Sequence, residues 1–303
     1  MIAVRFALYG ALSGLFGLSA FSLYGLRAEE RGGALAFRPW LVGCALLGLI
    51  LSGLALVLLA AAMAGTPAWP IDREAIGMLL SGSATGTAWK ARIAALIVAA
   101  LAALVAAGRA SRLGVVAVAA GIALATLAWT GHGAMDEGGI GWTHLAADIL
   151  HLLAAGIWVG ALLGLVLLVT RPIARVDAAH LALTHRALHG FGLIGSIVVG
   201  TIVATGLFNA WLLVGVGNVL TLGVTLYGRL LLAKLALFAA MLALASLNRF
   251  LLTPGFERSI AEADYVGALA RLRLSLAIEA GSVMVILALV AWLGTLEPPA
   301  SAI

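Results

Sequence analysis

The chain has 303 residues, of which 63% are hydrophobic and only 10% are charged, and its formal net charge is +5. Soluble domains are nearer half apolar and a quarter charged, so this composition excludes a soluble globular protein. The basic residues are scattered through short loops, which excludes a nucleic-acid-binding patch. The single cysteine, Cys44, excludes an internal disulfide and a cysteine-based metal cluster. We therefore predict a polytopic protein whose surroundings are membrane lipid.

Apolar runs of about twenty residues recur along the whole chain, and each can cross a hydrocarbon core of about 30 Å as a helix. The alternating pattern of an outer-membrane barrel is not found. The prediction is an all-α fold that forms a single membrane domain over residues 1 to 303. Eight transmembrane helices are predicted, at residues 3 to 26, 40 to 65, 89 to 108, 113 to 131, 143 to 170, 190 to 215, 228 to 252 and 272 to 295.

The connections between these spans predict the orientation of the bundle. Eight spans place both termini on one side of the membrane. Loops one, three, five and seven carry twelve arginines, against five basic residues on the opposite side. By the positive-inside rule, both termini are predicted on the outer, periplasmic side. The segment 66 to 89 is predicted as an outer loop with one surface helix, and the fifth and seventh connections as short amphipathic helices on the inner surface.

Metal-capable side chains are concentrated in and just before the fifth span. His132 and Met135 lie in the preceding polar loop, and His144, Asp148 and His151 lie within the span. The last three share one helix face, because residues i, i+4 and i+7 do so. Ionisable residues inside a span are costly and indicate a functional site. Imidazole suits copper, zinc, iron and nickel, and a thioether adds preference for Cu(I). These five residues are the predicted metal ligands.

Two more polar residues are expected at the depth of Asp148. Asn209 on the sixth span and Lys234 on the seventh reach that level when each helix rises 1.5 Å per residue. An ion pair between Asp148 and Lys234, with Asn209 as a hydrogen-bonding link between helices, would explain them without a metal. That alternative stays open, although it leaves the two histidines that flank Asp148 unexplained.

A possible inward route continues below this layer. Met241 and Met284 fall near mid-membrane, and Glu279 lies about 10 Å from the cytoplasmic end of the eighth span. A carboxylate at that depth should be paired, protonated or lining a hydrated route. Trp158 is expected either to pack against the metal site or to fill the core.

Several blocks of sequence resemble one family of bacterial inner-membrane proteins. They are WTGH at 129 to 132, HLAADILHLLAAGIWVGAL at 144 to 162, TGLFNAWLLVG at 205 to 215, YGRLLLAKLALFAAMLALASLNRFLLTP at 227 to 254 and AIEAGSVMVILALVAWLGTLEPP at 277 to 299. In this order they resemble the copper resistance protein D (CopD) family. The similar region covers residues 129 to 299, and the layout of eight spans matches the family over the whole chain.

The resemblance implies a copper ion as the metal and its movement from the periplasm to the cytoplasm. It also implies a partner, the small periplasmic copper carrier of the CopC type. The positions proposed as metal ligands in the family are histidines and methionines of the outer loops and upper helices. They correspond here to His132, His144 and His151, and to Met135.

The chief alternative is a haem-binding membrane electron-transfer protein. Histidines near helix ends can hold haem b, but two are needed at similar depth on different helices. The only candidate pair, His132 and His151, is offset by about 10 Å along the helix axis. An enzyme is not expected, because the sequence has no HExxH motif of a metal-dependent hydrolase, and no GxxxxGK[ST] loop indicates direct use of ATP.

Overall fold

The computed structural model describes residues 1–32, 37–106, 108–131, 138–262 and 264–302. Within these ranges the chain forms helices and connecting turns, without strands. The α-helices are α1 (Ile2–Tyr24), α2 (Phe37–Ala64), α3 (Arg73–Gly82), α4 (Ala84–Leu104), α5 (Ala110–Ala125), α6 (Gly138–Val169), α7 (Ala178–Val214), α8 (Leu226–Leu247), α9 (Thr253–Ala261) and α10 (Val266–Leu293). Among the described residues, eight helical segments are long and apolar enough to cross a membrane, which confirms the predicted all-α fold and span number.

Several helices continue beyond their predicted spans. Helix α7, which contains the sixth predicted span, begins at Ala178 and not near residue 190. The Asp177 side chain accepts a hydrogen bond of 2.7 Å from the His180 N–H and caps the helix there. The predicted amphipathic helix of the fifth connection is therefore the first part of α7. At the end of α8 a π-helical turn, Asn248–Leu252, leads into α9, whose first turn contains Pro254. The short helix α3 confirms the predicted surface helix between the second and third spans.

Helices α1 and α6 form the centre of the bundle and touch through glycines. A Cβ added to Gly160 would lie 1.9 Å from the carbonyl carbon of Gly17, and one added to Gly17 would lie 2.0 Å from the carbonyl oxygen of Gly156. One turn further along α6, a Cβ on Gly164 would meet the ring of Phe21 at 2.4 Å. Small residues permit such close approach of membrane helices. The glycines spaced by four on α6 therefore serve packing within the chain.

The remaining helices surround this central pair. Helices α2 and α5 pack against α1, with α4 between them, whereas α7 packs against α6 and α8 packs against α10. The guanidinium of Arg5 donates a hydrogen bond to the carbonyl of Gly294, which brings the ends of the first and last spans together. We call this the terminal end of the bundle. At the opposite, arginine-rich end, Arg186 forms an ion pair with Glu30. Which end faces outward stays a prediction from the charge distribution.

Candidate metal-binding site

The predicted polar stripe lies on α6 near the terminal end of the bundle. His144 is almost fully buried, with 1% of its surface exposed, and Asp148 and His151 are partly buried one and two turns further along. His132 and Met135 lie outside the described residues. Gly131 is the last described residue before them, and a Cβ added to it would lie 3.8 Å from Asp148 Oδ2. Gly131 therefore lies beside Asp148.

Asp148 links α6 to α7 through Asn209. The Asn209 Nδ2 donates a hydrogen bond of 2.6 Å to Asp148 Oδ1. An ionised carboxylate can only accept hydrogen bonds, so the amide nitrogen must face it. The Asn209 Oδ1 is buried and has no hydrogen-bond partner within the described ranges. This oxygen is available to a cation or a water beside Asp148.

The imidazole of His151 is oriented by a second residue of α7. Its Nδ1 lies 2.9 Å from Thr205 Oγ1, and the Thr205 hydroxyl donates its own proton to the Thr201 carbonyl over 2.6 Å. In the tautomer that keeps this hydroxyl bond, Thr205 accepts a hydrogen bond from His151 and the ring proton sits on Nδ1. Nε2 then carries a lone pair that can bind a metal. The ring fits against Gly206, where an added Cβ would lie 3.4 Å from its Cε1.

Helix α8 adds a positive charge to the same layer. The side chain of Lys234 lies within electrostatic reach of Asp148 and of His151. The hydroxyl of Tyr227, on the first turn of α8, is within electrostatic reach of Asp148 as well. The structure thus brings the expected set together at one level: His151, Asp148, Asn209 and Lys234.

This layer also contains residues that were not identified as site residues from the sequence, among them Arg5, Tyr9 and Arg92. Tyr9 on α1 lies close to Arg5 and within electrostatic reach of Asp148 and Arg92. Arg92 on α4 is buried, with its Nε 2.8 Å from Thr126 Oγ1 and a second nitrogen 3.1 Å from the Thr126 carbonyl. From the sequence, Arg5 and Arg92 were used only to predict the orientation of the spans. The position of Arg92 inside a span was the signal that could have identified it.

The geometry limits how a metal could bind along the stripe. Among the described residues, no three His, Cys, Asp or Glu side chains lie close enough to hold one ion. His144 and His151 are seven residues apart on one helix, or about 10 Å along its axis, which is too far for one ion with bonds of about 2 Å. Asp148 lies between them. The stripe therefore suits two positions in succession that share one carboxylate.

A separate cavity of about 330 Å³ lies in the arginine-rich half, between α6, α7, α10 and the end of α8. Glu279 lines it with 2% of its surface exposed, and its Oε1 accepts a hydrogen bond from Asn248 Nδ2. Trp158 also lines this cavity, with its ring edge-on to Phe191 at a centroid distance of 5.8 Å. Trp158 is seven residues beyond His151, so it lies about 10 Å from the stripe toward the arginine-rich end.

The two methionines expected along an inward route are placed differently. Met241 on α8 is buried in the core with 4% exposure, whereas Met284 on α10 is 49% exposed on the surface of the bundle. Neither one lines the cavity that contains Glu279. The arrangement therefore gives Glu279, and not the methionines, the surroundings of a polar site in the arginine-rich half of the bundle.

Comparison with known proteins identifies relatives over the whole chain. Residues 1–142 match the model of the copper resistance protein D-like N-terminal domain, and residues 185–293 match the copper resistance protein D model. Copper resistance protein D of Pseudomonas syringae pv. tomato is 46% identical over 303 residues, covering 98% of this chain and 96% of that protein.

Two further relatives match part of the chain. Inner membrane protein YebZ of Escherichia coli strain K12 is 34% identical over 128 residues, 42% of each protein. Copper transport protein CutJ of Bacillus subtilis strain 168 is 35% identical over 127 residues, 42% of this chain and 22% of that protein. No solved structure matches the chain. With its eight candidate spans, the chain is a multi-pass protein of the bacterial inner membrane, and it belongs to the copper resistance protein D family.

Proposed function

We propose that this protein carries copper ions from the periplasm to the cytoplasm, with the α6 stripe as the entry route. The observation that carries the proposal is the stripe itself: His144, Asp148 and His151 lie on one face, and α7 orients two of them through Thr205 and Asn209. The names of the relatives, copper resistance protein D and copper transport protein CutJ, support copper as the substrate.

The donor set fits a copper ion. Neutral imidazole nitrogens bind copper well, and the Asp148 carboxylate offsets the charge of an ion that leaves water. Copper would be handed over at the outer face by a periplasmic carrier of the CopC type, received by His132 and His144, and passed to Asp148 and His151. Met135, in the same loop as His132, would supply a thioether ligand for Cu(I).

The membrane potential can supply the driving force. Moving one positive charge inward is favoured by roughly 2.3 kcal/mol per 100 mV. With no ATP-binding loop in the sequence, an inward, potential-driven cation flux fits the chain better than ATP-driven export.

The test compares His144→Ala and His151→Ala with His189→Ala, in which an exposed histidine at the far end of α7 is changed. Copper uptake into proteoliposomes should fall at least tenfold in the first two variants and stay at the wild-type level in the third. Bound copper and visible absorption are measured on the same purified samples. Unchanged uptake in both site variants would refute the stripe as the route, and a Soret band of bis-histidine haem would identify an electron-transfer protein instead.

A further inference from the structure

The inner cavity contains a carboxylate that the copper stripe does not use. Glu279 is 2% exposed, and the hydrogen bond to its Oε1 comes from a neutral amide, Asn248. Asn248 itself is the first residue of the π-helical turn that follows α8. Such turns inside helices are frequently found at functional sites. The turn at this point places the Asn248 side chain against Glu279.

No cation neutralises this carboxylate within the parts of the chain that the structure describes. Among the described residues, the charged side chains that line the cavity are Glu279 and Arg249. The Arg249 guanidinium donates a hydrogen bond to Ser196 Oγ on α7 and lies 5.3 Å from the centre of the Phe250 ring. The lining residues of α6 and α7 carry no charge.

Charged groups on the other neighbouring elements are also engaged elsewhere. Arg273 on α10 donates to the carbonyls of Val169 and Arg171 at 2.6 and 2.8 Å. On α1, which packs against α10, Arg5 binds Gly294 at the terminal end. On α9, Glu257 lies 3.6 Å from His185 Nε2. A carboxylate buried at this depth without a cation is far more stable when it is neutral.

The polar part of the cavity lining can hold water molecules. Its volume of about 330 Å³ holds several water molecules. Two buried polar atoms of its lining, Asn248 Oδ1 and Trp158 Nε1, have no hydrogen-bond partner among the described residues. Leaving one such atom unpaired costs about 1–3 kcal/mol, which a water molecule in the cavity removes.

From this geometry we propose that Glu279 binds an exchangeable proton, taken from and returned to water in the inner cavity. The carboxylate accepts the proton from a hydronium ion of that water and gives it back to water when it ionises. The polar atoms that line the cavity are mainly carboxylate, amide and hydroxyl oxygens. As ligands, these oxygens suit a proton or hydronium better than copper. If the proposed transport function holds, a copper ion that arrives from the stripe would favour release of this proton to the inner side.

The proton can be observed without copper. Infrared spectra of the metal-free protein at neutral pH should contain the C=O stretch of a protonated carboxyl group that shifts when water is replaced by deuterium oxide. The band should be absent in Glu279→Gln, which keeps an acceptor for Asn248, and present in Glu257→Gln, whose carboxyl group is exposed. If Glu279→Gln does not fold, Glu279→Asp should move the band to a different frequency.

Three results would overturn the proposal: no such band in the wild type, a band that persists in Glu279→Gln, or a band that deuterium oxide does not shift. Since none of these measurements uses copper, they stay separate from the uptake of the His144 and His151 variants. Copper uptake is then measured against pH. Its pH dependence should flatten in Glu279→Gln and keep the wild-type profile in Glu257→Gln.

Discussion

The side chain of Asn209 donates a hydrogen bond of 2.6 Å to Asp148, across the contact between α6 and α7. A plain ion pair of Asp148 with Lys234 would also hold these helices together, so the role of Asp148 as a metal ligand needs a test that separates it from charge neutralisation. Two variants provide that separation.

Asp148→Asn keeps a side chain of the same shape and leaves the partly buried Lys234 without this carboxylate nearby. Because the lost attraction lies inside the bundle, the melting temperature in detergent should fall. In the double variant Asp148→Asn/Lys234→Met the unpaired charge is gone, and stability should largely return. Both variants should lack copper uptake. Recovery of uptake together with stability in the double variant would mean that Asp148 is only an ion-pair partner.

Thr205→Val removes the acceptor of the His151 Nδ1–H while keeping the shape of the side chain. A group that orients a metal-binding histidine contributes about 10–100-fold to metal affinity, so copper should bind that much more weakly. The control is Thr201→Val, because the Thr201 hydroxyl donates to the Ile197 carbonyl of its own helix. Titration of purified protein with copper measures both affinities. Equal affinity in the two variants would contradict the assigned ring orientation.

Gly160→Ala tests the crossing of the two central helices. The new methyl group would lie 1.9 Å from the backbone of Gly17, so α1 and α6 must move apart. Overpacking of this kind costs typically 1–3 kcal/mol, and a rigid backbone neighbour places the cost at the upper end. The matched change on α1 is Gly10→Ala, where no atom lies within 4 Å of the added Cβ. Thermal unfolding should show a clear loss for the first variant and none for the second.

Glu30 predicts a pH-dependent contribution at the arginine-rich end. Desolvation raises the pKa of Glu30, but hydrogen bonds from the Arg27 N–H, at 2.8 Å, and from Arg186 outweigh it, so the pKa lies below its usual 4.5. A depressed pKa means that the ionised group stabilises the folded state above about pH 4.5, and that this stability is lost as the pH falls through the folded-state pKa.

The measurement is the difference in melting temperature between the wild type and Glu30→Gln. This difference should be positive at pH 7 and shrink toward zero when the pH is lowered below 4.5. Glu29→Gln, a change at an exposed neighbouring carboxylate, should show a much smaller difference at pH 7. A difference that does not vary with pH would show that the ion pair with Arg186 is not the cause.

The sequence by itself determined the class of the protein and the face of α6 that carries polar groups. Apolar runs long enough to cross a bilayer predict eight helices, and the helical period alone aligns His144, Asp148 and His151. The common rise of 1.5 Å per residue was enough to place Asn209 and Lys234 at the level of Asp148. The ends of the helices were less predictable, since hydropathy marks the bilayer, whereas α7 continues as a helix to its cap at Asp177.

Only the tertiary structure decided how each helix is rotated about its own axis. A membrane helix is apolar on the side that faces lipid and on the side that faces its neighbours, so its sequence gives little indication of rotation. For this reason the inward position of Arg92, the exposed position of Met284 and the pairing of Glu279 with Asn248 all depended on packing. The contact of Gly17 with Gly160 fixes the central pair of helices, and the other helices, with their polar side chains, are positioned around it.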